Sequence, residues 1–147
     1  IKLGFATSTT VNNINSIFFT LKNTIDKKDF NFIGNDKLVL RKKPYPDIYK
    51  IALKKLNIRS KECLAIEDTE ESMKSALKAK IRCVAFPGKL HEHQKFKGAY
   101  KIIKKLSKKK IPIVIFIPVG SKCIKIMHNI KNILKYLLLL FFKILSM

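Results

Sequence analysis

The segments KKPYPDIY (residues 42–49) and LAIEDT (residues 64–69) decide how this chain folds and what chemistry it offers. The first places Lys43 on a loop that two prolines stiffen. The second is a short apolar strand pattern that ends in two adjacent carboxylates, Glu67 and Asp68. A cation for a phosphate and two acids for a metal are complementary parts of a phosphoryl-transfer site. The sequence upstream contains no aspartate placed to act as the nucleophile of such a site.

Strand patterns alternate with helix patterns on both sides of these segments. The predicted strands are residues 2–7, 30–33, 63–66 and 82–86, and the predicted helices are residues 11–21, 47–58 and 68–80. Short strands alternating with helices of about ten to fifteen residues are typical of βα units. We therefore predict an α/β fold built on a parallel sheet.

Side chains at the ends of these helices are candidate caps. Thr10 or Asn12 could cap the first helix, and Asp47 is a good N-cap for the second. The segment 68–71 has the pattern of a capping box for the third helix.

Polar residues follow the predicted strands where each one ends. In a parallel sheet, ligands bind outside the carboxyl ends of the strands. Thr7, Asp36, the pair Glu67–Asp68 and Pro87 are therefore expected on one rim of the sheet. Lys43 lies on the loop that follows the second strand and can reach the same rim.

The composition favours a single domain with a real core. The chain has 147 residues, of which 47% are hydrophobic. The net charge of +21 comes from 28 lysines and only three arginines. Because arginine is the preferred reader of phosphates and bases, this bias indicates solvated lysine faces rather than a nucleic-acid partner. Three widely spaced cysteines fit neither a disulfide framework nor a zinc site, and indicate a reducing compartment such as the cytoplasm or the plastid stroma.

The charge distribution divides the chain into a core, residues 1–106, and a basic, apolar tail, residues 107–147. All ten acids lie between Asp26 and Glu92. Residues 122–135 have a helical apolar period, and the apolar run 136–142 is too short to cross a membrane. A basic amphipathic helix on a membrane surface through residues 122–147 is one interpretation. Packing onto the sheet or a partner helix is the plainer one, and sequence appended by a reading-frame accident is a third.

Each candidate site residue also has a plain structural explanation. Thr7 and Ser8 are residue types that commonly cap helices, Lys43 is one lysine among 28, and Asp68 with Glu71 could cap the third helix. What favours a functional site is the order: hydroxyl at a strand end, helix, strand, Lys-Pro-x-Pro-Asp, helix, strand, Glu-Asp, helix, strand.

In that order the chain resembles the haloacid dehalogenase (HAD) superfamily. FATST (residues 5–9) resembles motif II, KPYPDIY (residues 43–49) resembles motif III of subfamily I, and AIEDT (residues 65–69) resembles motif IV. The most similar branch holds the CbbY-like proteins, phosphoglycolate phosphatase and β-phosphoglucomutase. The resemblance covers about residues 2–106 and does not extend to the tail.

The resemblance implies a Rossmann-like fold and a Mg²⁺-dependent phosphohydrolase or phosphomutase that acts on a small phosphorylated metabolite, such as a sugar phosphate. It implies that Thr7, with Ser8, binds the phosphoryl group and that Lys43 stabilises the charged aspartyl-phosphate intermediate. It further implies that Glu67 and Asp68 hold Mg²⁺. In the family, two aspartates of motif I, on a central strand that precedes a helical cap, act as nucleophile and as general acid/base.

No segment of this chain matches motif I, the cap or the central strand, and the sequence begins at Ile1. We therefore expect a fragment with an incomplete HAD core, inactive by itself, whose missing N-terminal part is a partner. We also expect two strands with unpaired edges, a feature that promotes aggregation. The alternatives are a degenerate, non-catalytic remnant that binds an anion or a partner, and a peripheral membrane protein anchored by its tail.

Overall fold

The structure, a computed structural model, describes residues 2–23 and 25–103. In chain order its strands and α-helices are β1 (Gly4–Phe5), α1 (Val11–Leu21), β2 (Phe32–Ile33), α2 (Asp47–Leu56), β3 (Leu64–Glu67), α3 (Glu70–Lys78), β4 (Arg82–Ala85) and β5 (Lys101–Ile102). Four short 3-10 helices lie in the connections, at Lys27–Asp29, Asp36–Leu38, Ser60–Glu62 and Lys89–His91.

All strand pairs in the described residues are parallel, which confirms the predicted α/β class. β1 pairs with β2, with Gly4 opposite Phe32. β4 lies between β3 and β5, with Leu64 opposite Arg82 and Val84 opposite Lys101. The two sheets do not join, because β1 and β3 are not hydrogen-bonded to one another in the described part of the chain. One edge of β1 and one edge of β3 therefore lack a strand partner there.

The first strand is shorter and less buried than its apolar sequence predicts. The pattern predicts a buried strand over residues 2–7, but the strand covers only two residues and Gly4 is exposed. A strand with an open edge has backbone hydrogen-bond partners on one side only, so fewer of its residues are held in extended pairing. β2 covers one edge of β1, where the Phe5 carbonyl accepts from the Gly34 N–H at 2.8 Å, and the other edge is open.

α1 has its predicted bounds, whereas α2 ends two residues early and α3 is two residues shorter at each end than predicted. Two of the predicted caps are wrong. The Thr10 hydroxyl accepts from the Asn13 N–H at 3.2 Å, as predicted for α1. Asp47 is not the N-cap of α2: it is the first helical residue, and its carboxylate accepts from the Arg41 guanidinium at 2.8 and 3.1 Å.

The cap of α3 is Thr69 rather than Asp68 or Glu71. The Thr69 hydroxyl accepts from the Ser72 N–H at 3.2 Å, and α3 begins one residue later, at Glu70. The threonine takes the capping position because its backbone is extended there, with φ −122° and ψ 149°. Asp68 consequently has no capping role and is left on the connection between β3 and α3.

The main hydrophobic core lies between α2, α3 and the three-stranded sheet. Met73, Ala76 and Cys83 are completely buried in it, and Ile48 is 1% exposed. A smaller cluster around Leu21 and Ile25 packs under α1. The core thus fixes α2 and α3 against the sheet and sets the positions of the loops that precede each helix.

The predictions for residues 107–147 lie outside the described residues. In the part of the chain that the structure describes, no helix is both long enough and apolar enough to cross a membrane.

Candidate functional site

The carboxyl ends of β1 and β3 open onto one groove of about 380 Å³. Residues 2–7 form one wall and residues 63–68 form the other, so the groove runs between the two unpaired strand edges. α2 contributes apolar side chains to it, among them Ala52, Leu53 and Leu56. Thr7, Lys43, Glu67 and Asp68 all line the groove.

The loop that carries Lys43 is fastened to both neighbouring helices. The Arg41–Asp47 ion pair closes the loop onto the first turn of α2. The Ser75 hydroxyl of α3, which is completely buried, donates to the Tyr45 carbonyl at 2.5 Å. These contacts hold the lysine-bearing backbone beside the end of β3 and reduce the entropy cost of ordering the lysine there.

Lys43 forms a partly buried ion pair with Glu67, the last residue of β3. The Lys43 Nζ lies 2.7 Å from the Glu67 Oε1, and the two side chains are only 15% and 10% exposed. The same Nζ lies 5.4 Å from the centre of the Tyr49 ring, within the range of a cation–π contact. The lysine therefore lies within the groove and does not extend into solvent.

Tyr49 completes this cluster from α2. Its hydroxyl donates to the Glu67 Oε1, the oxygen that also binds Lys43. Burial, together with the negative charge of Glu67, raises the pKa of Tyr49 well above its ordinary value. The hydroxyl consequently keeps its proton and serves as a donor. Burial also raises the pKa of the nearby Cys83 thiol to about 12, so this thiol is neutral near pH 7.

Asp68 is the carboxylate best placed to face a ligand in the groove. It is half-buried, lines the groove, and has no capping bond to α3. Glu67, predicted as a second metal ligand, uses its Oε1 for Lys43 and Tyr49. In the described residues no group of three or more histidine, cysteine or acidic side chains could hold a metal. One free carboxylate suits Mg²⁺, which keeps several waters and takes few protein carboxylates.

A second, more open cavity of about 460 Å³ lies beside the first. It is lined by the hydroxyl run 7–10 and by Asn13, Lys42, Lys43 and Ser72. Thr7, Lys43 and Ser72 line both cavities, so they lie where the two meet. Ser8, predicted as a phosphate contact, lines only the second cavity. The expected rim residues Asp36 and Pro87 line neither.

Two residues of this site were not predicted from the sequence. Ser72 lies in the first turn of α3, and the only signal for it was its position shortly after the Glu-Asp pair. Tyr49 lies two residues after Asp47, the last residue of the Lys-Pro-x-Pro-Asp segment. In a helix, two residues correspond to about half a turn, so the sequence predicts that Tyr49 faces away from the Lys43 loop. Its contact with Glu67 depends on how α2 packs against β3, which a one-dimensional pattern does not contain.

Comparison with known proteins identifies the family of the chain. A family model described as haloacid dehalogenase-like hydrolase matches residues 1–86, which is more than half of the chain. CbbY of Cereibacter sphaeroides is 31% identical over 103 residues, covering 70% of this chain and 45% of that protein. A haloacid dehalogenase-like hydrolase domain-containing protein of Arabidopsis thaliana is 34% identical over 100 residues, covering 65% of this chain and 31% of that protein.

Solved structures give the same result. The crystal structure of CbbY from Rhodobacter sphaeroides in complex with phosphate matches with a TM-score of 0.66 at 31% identity, covering 70% of this chain and 46% of that one. A putative β-phosphoglucomutase from Thermotoga maritima matches with a TM-score of 0.61 at 26% identity, covering 71% of this chain and 48% of that one. The chain thus spans less than half the length of each of these relatives, and its Rossmann-like fold is that of their matching parts. The family model and these relatives show that the chain belongs to the haloacid dehalogenase-like hydrolase family.

Proposed function

We propose that this chain supplies the phosphate-binding and Mg²⁺-binding part of a phosphohydrolase that acts on small sugar phosphates. The observation that carries the proposal is the convergence of Thr7, Lys43 and Asp68 on one groove. A hydroxyl, an ammonium and a free carboxylate are the groups that hold a phosphoryl group and its metal.

Each residue has a distinct role in this proposal. The Thr7 hydroxyl donates to a phosphoryl oxygen, and Ser8 adds a contact from the neighbouring cavity. The Lys43 ammonium offsets the negative charge that develops on the transferred group. Asp68, with Glu67 beside it, would hold Mg²⁺, which supplies Lewis-acid polarisation of a phosphoryl oxygen. None of these groups attacks phosphorus.

The nucleophile in this proposal is an aspartate on a strand outside the chain. The support is the groove itself: its walls are the open edges of β1 and β3, and each of these strands is parallel to the neighbour in its own sheet. A third parallel strand inserted there would join the two sheets and would end beside Lys43 and Asp68. The carboxylate of an aspartate at that end would attack the phosphorus and break its bond to the sugar oxygen, which would take a proton from a general acid that also lies outside the chain. Water would then hydrolyse the aspartyl-phosphate, releasing phosphate and restoring the carboxylate.

The substrate class is proposed from the relatives. CbbY of Rhodobacter sphaeroides has been crystallised with phosphate, and a mutant of it with xylulose-1,5-bisphosphate. A sugar phosphate of that kind presents a compact dianion to the lysine and hydroxyl side of the groove. The rest of the sugar would contact residues outside this chain.

The test is a phosphate-release assay on the purified chain with Mg²⁺ and a panel of small sugar phosphates. We expect no turnover from this chain, and Mg²⁺-dependent turnover when it is produced joined to the coding sequence that precedes residue 1. Turnover by the chain alone that disappears on Lys43→Gln substitution would contradict the assignment of the nucleophile to another segment.

A second candidate function is a non-catalytic remnant that binds an anion. The observation that favours it is that the first aspartate in the chain is Asp26, after α1. The same assay separates the two: a remnant binds phosphate but gains no turnover from the preceding sequence.

A further inference from the structure

One oxygen of Glu67 accepts hydrogen bonds from two donors, and this arrangement affects how easily Lys43 can leave Glu67 to bind an anion. The Lys43 ammonium and the Tyr49 hydroxyl both donate to the same oxygen, Oε1. Neither bond uses Oε2. The Glu67 side chain is only 10% exposed, so water competes weakly for this oxygen and its hydrogen bonds come mainly from the two donors.

The two donors therefore compete for the negative charge of the Glu67 Oε1. A carboxylate oxygen that accepts a hydrogen bond from a neutral hydroxyl has less charge left for an ammonium on the same oxygen. Without the hydroxyl, Glu67 would bind Lys43 more strongly, and a phosphate in the groove would have to draw the lysine away from a tighter ion pair. The bond from Tyr49 weakens this ion pair without breaking it.

We infer that Tyr49 is a positioning residue that sets, through Glu67, how readily Lys43 turns from its ion pair to a phosphate in the groove. This inference rests on the proposed function, because it concerns the same phosphate site. It assigns Glu67 a second task besides any contact with a metal: it holds the lysine in the groove when no anion is bound.

The inference makes predictions of opposite sign. Glu67→Gln removes the anionic competitor, so the affinity of the chain for inorganic phosphate should rise, by about 3- to 10-fold for one charge-assisted bond. Tyr49→Phe keeps the ring beneath the ammonium but removes the hydroxyl, so the affinity should fall by about 3-fold. General damage to the fold would lower the affinity in both variants.

The decisive comparison is the double variant. If Tyr49 acts through Glu67, Tyr49→Phe has no effect on phosphate affinity once Glu67→Gln is present. The matched control is Tyr45→Phe, because Tyr45 is half-exposed and its ring contacts Arg41 and Lys78 instead. The measurement is a calorimetric titration of inorganic phosphate at fixed Mg²⁺. An equal effect of Tyr49→Phe in both backgrounds, or a gain in affinity from it alone, would overturn the inference.

A second readout separates this inference from the proposed function. The exchange of the Lys43 ammonium hydrogens with water can be followed by NMR in lysine-labelled chain, with the signal assigned by its loss in Lys43→Arg. We expect faster exchange in Glu67→Gln, slower exchange in Tyr49→Phe and no change in Tyr45→Phe. If phosphate does not bind at all, the proposed function fails, and this exchange pattern still decides the role of Tyr49: unchanged exchange in Tyr49→Phe would refute it.

Discussion

Glu67 and Asp68, the two adjacent acids at the end of β3, have different surroundings and, in our account, different roles. Glu67 is buried and paired with Lys43 at 2.7 Å, whereas Asp68 is half-buried and faces the groove. Residue type alone treats them as equivalent metal ligands. Burial and hydrogen bonding distinguish them, because Lys43 and Tyr49 occupy the Oε1 of Glu67 and leave only its Oε2 for a cation, whereas Asp68 lines the groove without a capping bond.

This difference predicts unequal effects on metal binding. Asp68→Asn should weaken Mg²⁺ binding by at least about 10-fold, since it removes the free hard-oxygen ligand. Glu67→Gln should weaken it by less than about 3-fold, because that carboxylate is engaged by Lys43 and Tyr49. The measurement is a calorimetric Mg²⁺ titration, with Glu71→Gln, an exposed acid in the first turn of α3, as the control. Equal losses from Asp68→Asn and Glu67→Gln would show that both acids are direct ligands.

Gly34 is required by the close approach of β2 to the Thr7 loop. A Cβ placed on Gly34 would lie 2.8 Å from the Thr7 carbonyl oxygen and 2.6 Å from the Ile48 Cδ1. Backbone cannot move away cheaply, so Gly34→Ala should lower the free energy of unfolding by about 1–3 kcal/mol.

Urea unfolding measures this loss. The control is Gly4→Ala, whose added Cβ would contact the end of the Leu56 side chain at 3.3 Å and should cost much less. Equal stability of the two variants would show that the backbone at Thr7 moves away from the added Cβ at little cost.

At the scale of elements, the turn Ser60–Glu62 that leads into β3 is held by a local ion pair. The Arg59 N–H donates to the Glu62 Oε2 at 3.0 Å, and the Arg59 guanidinium pairs with the Oε1. These two hydrogen bonds lower the pKa of Glu62 to about 2, the one from the Arg59 guanidinium more than the one from the Arg59 backbone N–H.

This shift gives a pH dependence with a definite sign. Because the pKa of Glu62 is lower in the folded chain than its ordinary value of 4.5, the carboxylate stabilises the fold above pH 4.5. That contribution is lost as the pH falls from 4.5 towards 2. Urea unfolding at pH 7 and pH 3 should show a smaller loss of stability on acidification in Glu62→Gln than in the unaltered chain. The same loss in both would show that Glu62 does not contribute.

The elements also show what the sequence could predict and what it could not. The helical period located α1 to the residue, and the order of strands and helices gave the parallel α/β class. The caps of α2 and α3 were misassigned because Asp47 and Asp68 have side chains that suit a cap. The capping positions are instead those of Pro46, which makes no side-chain bond there, and Thr69. Which residue becomes the cap depends on where the backbone turns from extended to helical.

The same reasoning applies to the site. Thr7, Lys43, Glu67 and Asp68 could be predicted to share a rim because the ends of parallel strands lie together. The pairing of Lys43 with Glu67, and the hydroxyl of Tyr49 behind them, could not be predicted. Those contacts arise from the packing of α2 against β3, between residues 18 to 24 positions apart in sequence.

At the scale of the whole molecule, the described residues form two sheets of parallel strands with a groove between them, and the candidate site residues line this groove. The account's central claim is that Thr7, Lys43 and Asp68 form one binding site for phosphate and Mg²⁺. In such a site the metal and the anion assist one another, because Mg²⁺ offsets the repulsion between the phosphate and the carboxylates.

The most direct test is a calorimetric titration of inorganic phosphate into the purified chain with and without Mg²⁺. We expect saturable binding that strengthens with Mg²⁺ and weakens by at least about 10-fold in Lys43→Gln, the loss of one charge-assisted contact. The control is Lys50→Gln, which removes an exposed lysine of α2. Circular dichroism should confirm that both variants are folded. Phosphate affinity that is independent of Mg²⁺ and equal in Lys43→Gln and the unaltered chain would contradict the central claim.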